Sequence, residues 1–150
     1  MNTPTAVAPD SSLRAVMNSL GLLILRLGIG GFMMTHGWPK AQSLFAGDFE
    51  KFGDPIGLGS GASLVLAATG EFLCAALVML GFLTRFAAVG PVMTMAVAAF
   101  VIHQNDPWTM GAGASKEPAL LYLIPFLALI FTGPGRISLD ALIWGRSRTR

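Results

Sequence analysis

Apolar residues in this chain follow neither a helical nor a strand period; they run almost unbroken over stretches separated by clusters of Gly, Pro, Asp and Lys. A helix that crosses a bilayer needs roughly 20 mostly apolar residues. Three stretches meet that length: residues 16–38, 62–83 and 86–104. A fourth, 118–132, is shorter, but Pro118 suits a first helical turn and Gly133-Pro134-Gly135 is a firm stop. Pro125 is expected to kink it, which a bundle tolerates because neighbours satisfy the freed carbonyl.

Between the first two stretches, Phe45, Phe49 and Phe52 recur at helical spacing amid Asp48, Glu50 and Lys51, the pattern of a short amphipathic helix lying at an interface. After the fourth, Ser138 precedes Leu139-Asp140-Ala141-Leu142-Ile143-Trp144, which reads as a second interfacial helix with Ser138 as its N-cap. The expected fold is therefore all-α: an integral membrane four-helix bundle with short interfacial helices between spans one and two and after span four. Residues 1–14 form an N-terminal segment, 15–144 the transmembrane domain and 145–150 a basic tail.

Composition agrees, since 53% hydrophobic and 12% charged residues is far from a soluble balance. The net charge of +2 does not point to nucleic acid, because the arginines sit at the ends of apolar runs and in the tail, with no aromatic interleaving. Their distribution sets orientation instead. Arg14, Arg85, Arg136, Arg146, Arg148 and Arg150 fall on one side and Lys40, Lys51 and Lys116 on the other. The positive-inside rule then places both termini of a multi-pass membrane protein in the cytoplasm, with Trp38 and Trp108 at the outer interface and Trp144 at the inner one. Residues 1–12 lack the basic start and early apolar core of a cleaved signal peptide, so the first run is expected to be retained. Cys74 stands alone in an apolar run, which excludes an intramolecular disulfide framework.

The sharpest chemical signal is Arg26 in the first span and Glu71 in the second, since a charge at helix centre costs about 3 kcal/mol even on the lenient insertion scale. Counting residues from the cytoplasmic ends puts both at similar depth, so an ion pair inside the bundle is expected. Such a pair either locks two helices together or forms a polar site for a quinone carbonyl, an anionic head group or a proton-relay water. His36 and His103 end the first and third spans on the same side, where Glu117 begins the fourth. The histidines are either wet interfacial residues or proton-exchanging groups near the outer surface. No short histidine spacing supports a metal, and no pair of facing central histidines supports a haem. Gly28, Gly30, Gly31 and Gly37 permit close helix approach.

Several pieces together resemble the DoxX family of small bacterial membrane proteins: Leu25-Arg26-Leu27, His36-Gly37-Trp38-Pro39-Lys40, Gly70-Glu71-Phe72, Leu80-Gly81-Phe82-Leu83-Thr84-Arg85 and Gly133-Pro134-Gly135-Arg136-Ile137-Ser138-Leu139-Asp140. The resemblance implies the four-helix fold. It also implies a redox connection, because the family is named after a small subunit associated with quinone-linked sulfur oxidation and terminal oxidase activity. The leading functional expectation is an inner-membrane subunit or anchor of a quinone-linked redox system. Its candidate residues for ligand binding or proton relay are Arg26, Glu71, His36, His103 and Glu117. The expected cofactor is at most a quinone, and the expected partners are the lipid bilayer, a membrane or periplasmic redox protein, and further copies of the chain. Whether the chain itself is catalytic stays open. Two other readings also stand: a small transporter or channel for a polar solute or protons, and a structural assembly partner.

Overall fold

The computed structural model describes residues 11–111 and 113–145, and among them there are helices and connecting turns but no strand. The basic tail, 146–150, lies outside the described residues. Helix α1 is Ser11–Ala46, α2 is Ser60–Leu80, α3 is Thr84–Ile102, α4 is Glu117–Thr132 and α5 is Leu139–Trp144. Helices α1, α2 and α3 are long and apolar enough to cross a membrane, and α4 is a shorter apolar helix of 16 residues. Together they form the expected all-helical bundle. The tight connection at residues 81–83 lies at one end, called here the turn end; segments 47–59 and 103–116 lie at the other, the loop end.

Helix α1 departs from expectation at both ends. It starts at Ser11, so residues 11–14 already belong to it, and it continues through Pro39 to Ala46. Proline removes one backbone hydrogen bond but does not oblige a helix to stop. The continuation absorbs Phe45, while Phe49 and Phe52 fall in the irregular loop that follows, so no separate interfacial helix exists between α1 and α2. The second interfacial helix does form, with Ser138 accepting a hydrogen bond from the Ala141 amide at 3.1 Å.

The bundle core is built around Met33, Leu64, Val78, Phe126 and Leu129, all without solvent exposure, while Phe32, Phe86 and Phe131 point outward. Outward aromatics are what a hydrocarbon solvent permits. Glycines set the closest approaches. A Cβ on Gly37 would lie 2.5 Å from the Glu71 carbonyl carbon, and one on Gly30 would lie 3.1 Å from the Ala75 oxygen, so α1 and α2 are antiparallel with Gly37 beside Glu71 and Gly30 beside Ala75. Small residues let backbones meet in this way where lipid offers no hydrophobic drive between helices.

Asp54 organises the loop end. Its carboxylate accepts from the amides of Leu58 (3.0 Å) and Gly59 (2.8 Å) and from the Ser63 hydroxyl (2.9 Å), so it ties the loop to the first turn of α2. The Gly59 amide first, and then the Ser63 hydroxyl, hold this carboxyl below the usual aspartate range. A carboxyl lowered on folding adds stability above its unfolded pKa, and that contribution is lost as pH falls through the lowered folded value. Loss of this tie is therefore expected only as pH drops from about 4 downward. Asp54→Asn should flatten this acid limb of a melting-temperature-against-pH profile and leave the neutral limb's slope unchanged.

Candidate functional site

The two buried charges foreseen as partners do not pair. Arg26 is completely buried, but its guanidinium reaches the turn end, donating to the carbonyls of Val78 and Met79 at 3.4 Å each and to that of Ile137. Two of those carbonyls belong to the last turn of α2, at the negative end of the helix dipole, where Val78 O also accepts from the Gly81 amide at 3.0 Å. Asp140 supplies the nearby negative charge. Its carboxylate accepts from the amides of Leu83 (2.7 Å) and Thr84 (3.0 Å) at the start of α3, and its own amide donates to Gly81 O at 2.8 Å. Gly81 is left-handed (φ 71), and its missing side chain leaves room for Arg26 and Ser138. Arg26 is thus the centre of a knot that ties α1, α2, α3 and α5 together.

Glu71 belongs to a second polar cluster. It packs against Gly37 of α1, and Gly37 is eleven positions beyond Arg26 (37 minus 26), which is about 16 Å along the helix axis. Its partner is Lys40, whose ammonium donates to the Glu71 carboxylate and, at 3.4 Å, to the His36 carbonyl. The Glu71 side chain is 6% exposed and that of Lys40 26%, so the pair sits at the edge of the buried interior. The backbone around Glu71 is unusual: Thr69–Cys74 is a π-helical stretch within α2, and Ala98–Ile102 is another at the end of α3. Widened turns of this kind recur at functional sites because they re-aim side chains.

The pair faces a cavity of about 690 Å³ whose walls are mainly apolar. His36 and His103 both line it, with Tyr122 of α4 between α1 and α3. His36 meets the Tyr122 ring edge-on, centroids 5.4 Å apart, and His103 Nδ1 lies 2.7 Å from Asp106. Lys116 fastens the segment beyond α3 by donating to the carbonyls of Gln104 and Asp106 at 2.8 Å, and it stands over the Trp108 ring. Glu117 does not line this space: its carboxylate accepts from the Met110 amide, and from α4 it is Pro118, Ala119 and Tyr122 that reach the cavity wall. Of the five residues singled out from sequence, then, Glu71, His36 and His103 come together, whereas Arg26 and Glu117 serve elsewhere.

The DoxX family model matches residues 21–104, more than half of the chain. The chain belongs to the DoxX family. Among curated proteins, this DoxX protein is 30% identical over 137 residues to an uncharacterized protein of Haemophilus influenzae, covering 89% of this chain and 90% of that one. It is 33% identical to an uncharacterized membrane protein of Mycobacterium tuberculosis, covering 81% and 74%. It is 29% identical to the inner membrane protein YqjF of Escherichia coli, covering 85% and 95%. No solved structure matches it. The DoxX protein is accordingly a membrane protein in contact with the lipid bilayer. The matched region carries Arg26, His36, Lys40, Glu71 and His103, while Tyr122 and Glu117 lie beyond it.

Sequence reasoning missed Lys40 and Tyr122 as members of the site. Lys40 had a readable signal, since it stands four residues after His36 and shares its helical face once α1 is allowed to run past Pro39. Tyr122 had none beyond being the chain's single tyrosine inside an apolar run.

Proposed function

We propose that this DoxX protein is the membrane subunit of a quinone-linked redox system and that the quinone head group binds in the cavity beside Lys40 and Glu71. The observation that carries the reading is the cavity's make-up: about 690 Å³ of mostly apolar space whose walls also carry the Lys40–Glu71 ion pair and both histidines. That is the profile of a pocket for a ligand with a polar head and an apolar body. Lys40 donates to a quinone carbonyl, Glu71 accepts from the quinol hydroxyl and exchanges its proton, and His36 and His103 connect the site with the loop end. Electrons come from a partner redox protein, with protons matched to them through these side chains. The central Arg/Glu site of the sequence reading is replaced here by a Lys/Glu site, with Arg26 as a structural element.

The orientation belongs to the same proposal. With both termini cytoplasmic, the turn end faces inward, and the cavity lies in the outer half of an inner-membrane protein, where a periplasmic or membrane partner or a further copy of the chain would dock. A route for a hydrated solute is less well supported, because the cavity walls away from the ion pair and the histidines offer few groups to replace water.

The test is quinone content. Protein purified in native lipid is expected to carry extractable quinone near one per chain, and Glu71→Gln is expected to retain the fold while losing about tenfold or more of it, as expected when a charged hydrogen bond is removed. Wild-type protein without quinone, retaining a polar solute instead, would favour the transport reading.

A further inference from the structure

Helices α2 and α3 meet over only part of their lengths. They meet where the π-helical stretch Thr69–Cys74 crosses Val89–Val97. Two glycines make this crossing tight: a Cβ on Gly70 would lie 2.7 Å from Thr94 Cγ2, and one on Gly90 would lie 2.8 Å from Cys74 Sγ. Toward the loop end the limbs lean on different neighbours, Ser60–Ala68 on α1 and Ala98–Ile102 on α4. The cavity fills the space between them.

Its boundaries differ in chemistry. Lys40 and His36 of α1 and Tyr122 of α4 line it from the two neighbouring helices. Phe52, Pro55 and Ile56 line it from the loop that Asp54 pins down. The front edges carry Leu66 on α2 and Met93 on α3, which are 50% and 60% exposed on surfaces that a membrane would cover with acyl chains. A hydrated solute arriving from the front would be stripped of water by apolar edges, whereas a molecule already dissolved in the bilayer meets no such cost.

We infer that the cavity is loaded sideways from the bilayer, through the gap between α2 and α3, by a single-tailed amphiphile with an uncharged head. This rests on the quinone reading for the nature of the head, and it adds the route and the tail. The head is uncharged because Lys40 and Glu71 neutralise each other and leave no net charge for an ionic group to pair with. The tail is single because about 690 Å³ accommodates one drug-sized ligand body rather than two acyl chains with their head group. The tail lies in the gap between Leu66 and Met93 while the head reaches the ion pair.

The test compares a ubiquinone bearing a two-isoprene tail with the same ring lacking a tail, titrated into the protein in nanodiscs of defined phospholipid. Wild type is expected to bind the tailed form at least about tenfold more tightly after correction for partitioning, since each buried methylene adds measurably to affinity. Met93→Trp, which fills the gap, is expected to abolish that preference, and Leu66→Trp on the opposite limb serves if the first variant does not fold. Equal affinity for both rings in wild type, or a preference untouched by either variant, overturns the inference. A phospholipid retained by wild type at one per chain in native mass spectrometry overturns the choice of occupant.

A nitroxide at position 67 (Ala67→Cys in a Cys74→Ser background) reads the opening without any quinone. Faster relaxation by oxygen, which concentrates in bilayers, than by a polar nickel chelate is expected; the reverse order places the opening on water and overturns the route. If neither ring binds wild type while the nitroxide reports bilayer access, the quinone reading falls and the sideways route stands.

Discussion

Arg26→Met is expected to destabilise the bundle by about 3–5 kcal/mol, read as a large drop in thermal midpoint in detergent and as poor yield in membranes. The substitution leaves the carbonyls of Met79 and Ile137 without the Arg26 donor, leaves Val78 O with only the Gly81 amide, and strips Asp140 of its neighbouring positive charge, all in a region that water reaches poorly. Arg26→Lys should recover only part of the loss, because a single ammonium lacks the planar fork that spans three acceptors. If Arg26→Met instead melted like the wild type and lost only ligand binding, Arg26 would have to be a ligand group and the knot at the turn end would be incidental.

The second large effect concerns the ion pair at the cavity. Lys40→Met is expected to cost about 3–5 kcal/mol because it leaves the Glu71 carboxylate, 6% exposed, without a counter-charge. Glu71→Gln should cost less, since the amide still accepts from Lys40 and the remaining ammonium is partly solvated. The double variant should regain much of the stability lost in Lys40→Met but none of the ligand affinity, giving a coupling of about 1–3 kcal/mol in a double-mutant cycle. Strictly additive stabilities would mean that the two side chains do not depend on each other. The contrast between the two polar clusters is then measurable: the Arg26 knot affects stability alone, while the Lys40–Glu71 pair affects stability and binding separately.

The bundle itself was legible in the sequence because hydrocarbon leaves so few options: long apolar runs must be helices, and the Gly, Pro and charged clusters between them mark their ends. The cap at Ser138 was equally plain, since a hydroxyl followed by an apolar run has one common use. Pro39 misled the reading of α1. Proline usually marks a boundary, but here the helix passes through it, and that hid the fact that Lys40 shares a face with His36. The pairing of Arg26 with Glu71 failed for a related reason. Depth counted from approximate span ends treats each helix separately, whereas the register between α1 and α2 is set by Gly30 against Ala75 and Gly37 against Glu71. Those glycines were recognised as contact points, but no pattern in one sequence says which residue of a neighbouring helix each one meets. The carbonyl partners of Arg26 were invisible for the same reason, because helix ends and the segment before α5 become acceptors only once the turn at Gly81 brings them together.

Glu117 shows the limit of grouping residues by side of the membrane. It shares the loop end with both histidines, yet the Met110 amide engages its carboxylate outside the cavity. Tyr122, five residues further along α4, is the residue that meets His36. Proximity along the membrane normal does not determine which helical face a side chain occupies.

The ligand site we propose for this protein is the cavity beside Lys40 and Glu71, not the surroundings of Arg26. A density map of the protein in native lipid tests it most directly. The expected result is elongated density between α2 and α3, its head within hydrogen-bonding distance of Lys40 and Glu71 and its tail between Leu66 and Met93. A cavity closed by inward movement of α2 and α3, with bound density beside Arg26 instead, would contradict it.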